Sequence, residues 1–228
     1  RKMGGAAATV EFGSTLGDES AGFYLHTTHG VDLHRLPLPI GINGTDRFFD
    51  LLSKIGSRPV PQKYEKARGR LIDAMVDGHK YVSGKKAVVY GEEDLVVGLC
   101  SFLSEIGIKP ILCASGGKSG RFEEAVVAEL ADYDDVNPLV REGVDFYDIE
   151  ELAVQLGVDL LIGHSKGYTF SRKHNIPLIR VGFPVHDRIG GQRILHLGYH
   201  GAQQLFDIIA NTFIEKKQND SDVGYSYM

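Results

Sequence analysis

Gly163-His164-Ser165-Lys166-Gly167 sets a serine between two glycines at G-x-S-x-G spacing, after an apolar run and before a helical pattern. In that context the motif can be a nucleophile elbow, with Ser165 as an esterase nucleophile. A hydrolase then needs an acid and a histidine further along, and Asp187 with His196 or His200 supplies that order. The spacing argues against it. A single strand separates Ser165 from Asp187, no strand and helix lie between Asp187 and His196, and no HGGG-like oxyanion segment stands upstream.

The segment FPVHDRIGGQR, residues 183–193, concentrates charge in His186, Asp187, Arg188 and Arg193. Two readings stand side by side. Asp187 and Arg188 can form an ion-pair corner that orders a long loop, or the loop can be a contact surface for a partner or a cofactor in transit, since ligands gather outside strand ends.

ASGGKSGR, residues 114–121, looks like a phosphate loop, but Leu112 stands where a P-loop needs its first glycine. Lys118, Ser119 and the amides of Gly116 and Gly117 can still hold a small anion. No G-x-G-x-x-G follows a strand, and the carboxylates of GEEDL at a helix start repel a pyrophosphate. His26 and His29 share a helical segment, and His196 and His200 a later one, but neither pair has a carboxylate or thiolate at ligand spacing. They read as solvated or hydrogen-bonded histidines.

Cys100 and Cys113 are the two cysteines, each in an apolar run, which argues against disulfide stapling and for a reducing cytoplasm. A net charge of -5 without a basic cluster argues against a nucleic-acid surface, so the expected partners are protein or small molecule. No apolar run reaches membrane-spanning length.

The elements that must position these loops follow a βα rhythm. From residue 85, KKAVVYG reads as a strand, EEDLVVGLCSFLSEIG as a helix ending at Gly107, IKPILCAS as a strand and GRFEEAVVAELADY as a helix. DIEELAVQLG follows as a helix, VDLLIG as a strand, SKGYTFSRKH as a short helix, IPLIRVGF as a strand and GAQQLFDIIANTFIEKKQ as the closing helix. Strands apolar throughout, alternating with helices, imply an α/β fold with a Rossmann-like, doubly wound parallel sheet over residues 85–217. Residues 1–60 form part of a second α/β domain, with Thr45 as the N-cap and Gly56 as the stop of the helix TDRFFDLLSKIG. Residues 61–84 are a connecting helix and 218–228 a tail. The opening RKMGGAAATV does not look like a natural start, so an upstream part is expected.

Taken together, IPLIRVGFPVHDRIGGQRILHLGYHGAQQLFDIIANTF, GHSKG, DGHKYVSGKKAVVYGEEDLVVGL, GGAAATVEFG and GINGTDRFFDLL resemble the C-terminal portion of a nitrogenase component-1 subunit of the beta type. The resemblance implies Rossmann-like domains around a cleft. It also makes the GHSKG glycines a tight turn at the carboxyl edge, where Ser165 caps the next helix.

Catalytic beta subunits of this family usually carry a histidine-rich segment after the aspartate-arginine pair, where Ile189-Gly190-Gly191-Gln192 stands here. That departure favours the N-type subunit of the scaffold that matures the iron-molybdenum cofactor, with the nitrogenase beta subunit, an oxidoreductase, as the alternative. The resemblance further implies an alpha-like E-type partner, a heterotetramer and transient docking of the nitrogenase iron protein. An iron-sulfur cluster and the iron-molybdenum cofactor precursor would belong to the intact complex. Neither Cys100 nor Cys113 sits in a family ligand motif, so this chain alone is expected to bind no cofactor, hold no metal and carry no catalytic residue. The surface it would offer to a partner or to cofactor in transit comprises His186, Asp187, Arg188, Arg193, His164, Ser165 and Lys166.

Overall fold

The computed structural model describes residues 2–223. β1 (Ala8–Phe12) and β2 (Asp32–Leu36) pair in parallel as a two-stranded sheet, with α1 (Ala21–His29) crossing between them. Ser20 caps α1 by accepting the Phe23 N–H. α2 (Gly41–Gly56) begins four residues before Thr45, so Thr45 is not its cap. The Thr45 hydroxyl is buried and donates back to the Gly41 carbonyl at 2.6 Å. Ser57, in the left-handed region at φ 47°, closes the helix in place of Gly56. α3 (Gln62–Val82) follows Pro61, which supplies its N-cap position.

The second sheet contains β3 (Lys86–Tyr90), β4 (Lys109–Ser115), β5 (Leu139–Glu142), β6 (Leu160–Gly163) and β7 (Leu178–Arg180). All are parallel, in the order β5-β4-β3-β6-β7. Between them run α4 (Glu93–Glu105), α5 (Phe122–Glu129), α6 (Phe146–Leu156) and α7 (Tyr168–His174), and α8 (Gly198–Asn219) follows. This is the expected doubly wound α/β domain. It has one strand more than the sequence pattern suggests. β5 lies at the sheet edge and buries Val140 next to the charged Arg141 and Glu142, too short and polar a run to announce itself.

Alternate residues of β3 serve opposite faces. Ala87 and Val89 enter a core with Leu99 and Phe102 of α4, Val126 of α5 and Leu205 and Ile209 of α8. Val88 and Tyr90 enter a second core with Ile149 and Ala153 of α6 and Phe170 of α7. Val88 and Val89 are fully buried, each contributing roughly 1.5–3 kcal/mol relative to exposure.

α2, which follows the small sheet, is tied to the end of α4 through Glu105. Its carboxylate accepts the Ile42 and Asn43 N–H groups, at 2.8 and 2.7 Å, and so caps α2 from a distance. Among the described residues no helix is long and apolar enough to cross a membrane. α8 runs to Asn219, and residues 224–228 of the expected tail lie outside the described residues.

Candidate functional site at the carboxyl edge of the sheet

Strand order reverses between β3 and β6, and a crevice outside the carboxyl ends at such a point is where open α/β sheets take ligands and partners. Tyr90 ends β3 and donates its hydroxyl to the His164 carbonyl at 2.7 Å. A side chain at Gly163 would strike the Tyr90 carbonyl and ring, and one at Gly167 would strike its hydroxyl. The glycines of the G-x-S-x-G motif therefore make room for a tyrosine.

Ser165 is 2% exposed, within a short 3-10 turn, Ser165–Gly167. Its N–H donates to the Pro184 carbonyl at 3.0 Å. Its hydroxyl donates to Asp187 Oδ1 and accepts the His186 N–H at 3.1 Å. Ser165 thus fastens the loop after β7 and caps no helix, because Asp187 is a stronger acceptor for its hydroxyl than any helix amide is a donor to it.

Asp187 receives a second, stronger partner. Arg180, at the end of β7, places Nε 2.8 and 2.9 Å from the two carboxylate oxygens and Nη2 2.6 Å from Oδ2. The Arg180 hydrogen bonds hold the Asp187 carboxyl well below the usual carboxylate range, against the opposing effect of burial. Arg188, the neighbour in sequence, is a secondary partner. Its Nη1 donates to the Asp187 main-chain carbonyl at 2.6 Å and stands 3.6 Å from Oδ2, and its side chain is largely exposed. The ion-pair corner therefore exists, but its arginine is Arg180, supplied from the strand.

His164 packs edge-on against the Tyr90 ring and tilts against Phe146, with centroids 5.1 and 5.6 Å away. Its Nδ1 is buried and has no hydrogen-bond partner among the described residues. Burial first, then the charges of Lys166 and His186, push its pKa down, so the ring is neutral at pH 7. Lys166, His186 and Arg193 have exposed side chains, and Arg193 lies on a separate short turn, Gly191–Arg193. The loop presents apolar groups outward as well: Phe183 is 75% exposed and Ile189 fully so.

This geometry is not that of a hydrolase. Ser165 is buried, bonds a carboxylate directly and touches no imidazole among the described residues, while His196 bonds the Ile194 carbonyl. The 114–121 loop donates its Gly117 amide to Ser115 Oγ at 3.0 Å. Its Ser119 and Gly120 amides donate to Glu93 and Glu142, at 3.1 and 3.2 Å, where an anion would otherwise sit.

Cys100 and Cys113 face each other at 3.1 Å, both fully buried between α4 and β4, and burial pushes the Cys100 thiol up. Two fully buried core thiols do not fit an iron-sulfur cluster, which takes several thiolates at an open site. Among the described residues no group of three or more histidine, cysteine or acidic side chains is placed to hold a metal ion.

Residues 1–214 match the family model for nitrogenase component 1 type oxidoreductases. The chain belongs to that family. It is 34% identical over 220 residues to the nitrogenase molybdenum-iron protein beta chain of Clostridium pasteurianum, covering 96% of this chain and 48% of that one. It is 36% identical over 190 residues to the nitrogenase iron-iron protein beta chain of Rhodobacter capsulatus, covering 80% and 41%. A solved structure, nitrogenase Cp1 at pH 6.5, superposes with a TM-score of 0.92 at 32% identity, over 99% of this chain and 49% of that one. This member of the component 1 family is therefore nitrogenase-like and of the beta-chain type, and it spans about half the length of these relatives.

Proposed function

We propose that this chain is part of a beta-type subunit of a nitrogenase complex, and that the loop over residues 183–197 is a contact surface for an alpha-type chain. The observation that carries the reading is a loop fixed from below and open above. Arg180 and Ser165 hold Asp187 in place, while Phe183, Arg188, Ile189 and Leu195 on the same loop are exposed. Exposed apolar side chains with an adjacent arginine on a rigid support have the make-up of a protein interface core. The relatives with this fold are beta chains of nitrogenase proteins, which supports the class of complex. In this reading the chain contributes shape and partner contacts. Iron-sulfur and iron-molybdenum centres, and electron delivery by an iron protein, belong to the intact complex.

A second reading, the N-type scaffold subunit with an E-type partner and a cofactor precursor in transit, is favoured by one observation. Ile189-Gly190-Gly191-Gln192 follows the Asp187-Arg188 pair, where the resemblance to catalytic beta subunits implies a histidine-rich segment. Analytical ultracentrifugation of the chain with a purified nitrogenase alpha chain, and separately with an E-type scaffold chain, decides between them. Association with the alpha chain, weakened about tenfold by Ile189→Asp, is expected. Association with the E-type chain alone puts the scaffold reading first, and association with neither removes both.

A further inference from the structure

We propose that the cleft between the small sheet and α5 binds a small organic oxyanion, a carboxylate or phosphate carried on a compact apolar body. The proposal is independent of the partner surface, which lies on a different loop.

A cavity of about 620 Å³ opens between the loop after β1, the end of β2, α2 and α5. That volume lies within the range of small-molecule sites. Its apolar wall includes Leu16, Leu36 and Ala125. Three arginines reach it from three different elements: Arg35 from β2, Arg47 from α2 and Arg121 from the start of α5.

Two of these arginines are already committed. Arg47 donates through both terminal nitrogens to Glu129, and Arg35 is held by Glu11 and by the Gly17 carbonyl. Arg121 differs. Among the described residues its guanidinium makes one hydrogen bond, from Nη1 to the Leu16 carbonyl at 2.6 Å, and no ion pair. That single bond anchors the group at the cleft and leaves its remaining N–H donors without a protein partner among the described residues.

A guanidinium with free donors matches the paired oxygens of a carboxylate or phosphate. Glu11 pairs Arg35 and Glu129 pairs Arg47, which leaves Arg121 and Glu124 as the charges of the lining without an ion pair among the described residues. The guanidinium of Arg121, rather than a net positive charge, is what the cleft offers an anion. The apolar wall selects for a body beyond the bare anion, because inorganic phosphate would leave Leu16, Leu36 and Ala125 uncovered.

Isothermal titration calorimetry on the whole chain, with phenyl phosphate, benzoate and inorganic phosphate as probes, tests this. Saturable one-to-one binding of phenyl phosphate or benzoate, tighter than that of inorganic phosphate, is expected, and the better of the two identifies the anionic group. Arg121→Gln should weaken it about tenfold, the weight of a charge-assisted hydrogen bond. Because Arg121→Gln also alters the Leu16 contact, Ala128→Phe serves as a second variant. Ala128 lines the cleft from an exposed position, so a ring there fills the space without disturbing the core. Loss of binding in Ala128→Phe with an unchanged circular dichroism spectrum supports the site. No saturable binding of either organic probe, or equal affinity in both variants, overturns it.

Discussion

Arg180 and Asp187, seven residues apart, close a fork of hydrogen bonds across the carboxyl edge of the sheet, with Nη2 to Oδ2 at 2.6 Å. The pair lies mostly out of solvent, at 11% and 23% side-chain exposure. It joins the last strand of the sheet to the loop that carries Arg188 and Ile189. Removing one partner leaves the other charge half-buried, so Arg180→Ala should lower stability by roughly 2–3 kcal/mol, below the cost at a fully buried pair. Denaturant melts of Arg180→Ala and Arg188→Ala check the assignment, with Arg188→Ala changing stability by less than about 1 kcal/mol.

The same pair sets an acid limb in the stability profile. Asp187 is held below the ordinary carboxylate range in the folded chain, so it contributes stability above about pH 4, and this is lost as pH falls through the folded value. Asp187→Asn should lower stability at pH 7 and flatten the decline in acid. Melts from pH 2 to 7 would show it, and an acid limb as steep in the variant would assign the effect to other carboxylates.

Glu105 acts in the opposite direction. Burial raises its pKa to about 7, against the lowering effect of the Ile42 and Asn43 amides. The folded chain therefore keeps a proton that the unfolded chain gives up from the ordinary carboxylate range upward. Stability contributed by this group is full below that range and falls as pH rises towards about 7. Glu105→Gln should remove that decline. Carbon-13 NMR of the Glu105 carboxyl reads the titration directly, and a midpoint below 5 would contradict it.

Much of the fold was legible in the sequence because β3, β4 and β6 are apolar on both faces, a pattern that specifies a covered parallel sheet. β5 was not, since an edge strand of four residues with one buried side chain leaves little periodicity. At the site, His164, Ser165, His186 and Asp187 were marked by their loops, but the key partner of Asp187 was not. Arg180 lies inside the apolar run IPLIRVGF, and a charge within such a run was the available signal. Thr45 misled because its hydroxyl can satisfy a carbonyl of its own helix as readily as cap one, and the remote carboxylate of Glu105 took the capping role.

Ser165→Ala removes a hydroxyl that both donates to Asp187 and accepts the His186 amide, at a cost of about 1–2 kcal/mol. No esterase activity should depend on it. A fluorophosphonate probe followed by mass spectrometry should leave Ser165 unlabelled in the native chain.

Cys100 and Cys113 should take up no iron-sulfur cluster, being fully buried and, among the described residues, without further ligands grouped beside them. Reconstitution with iron and sulfide should give no stoichiometric visible chromophore. One that disappears in the Cys100→Ala, Cys113→Ala double variant would show that the core opens to metal.

Hydrogen-deuterium exchange with and without a bound alpha-type chain tests most directly the proposed contact of residues 183–197 with a partner chain. Amides of this loop should exchange more slowly in the complex, while those of β5, at the opposite edge of the sheet, stay unchanged. A complex that forms with no added protection over residues 183–197 would contradict the account.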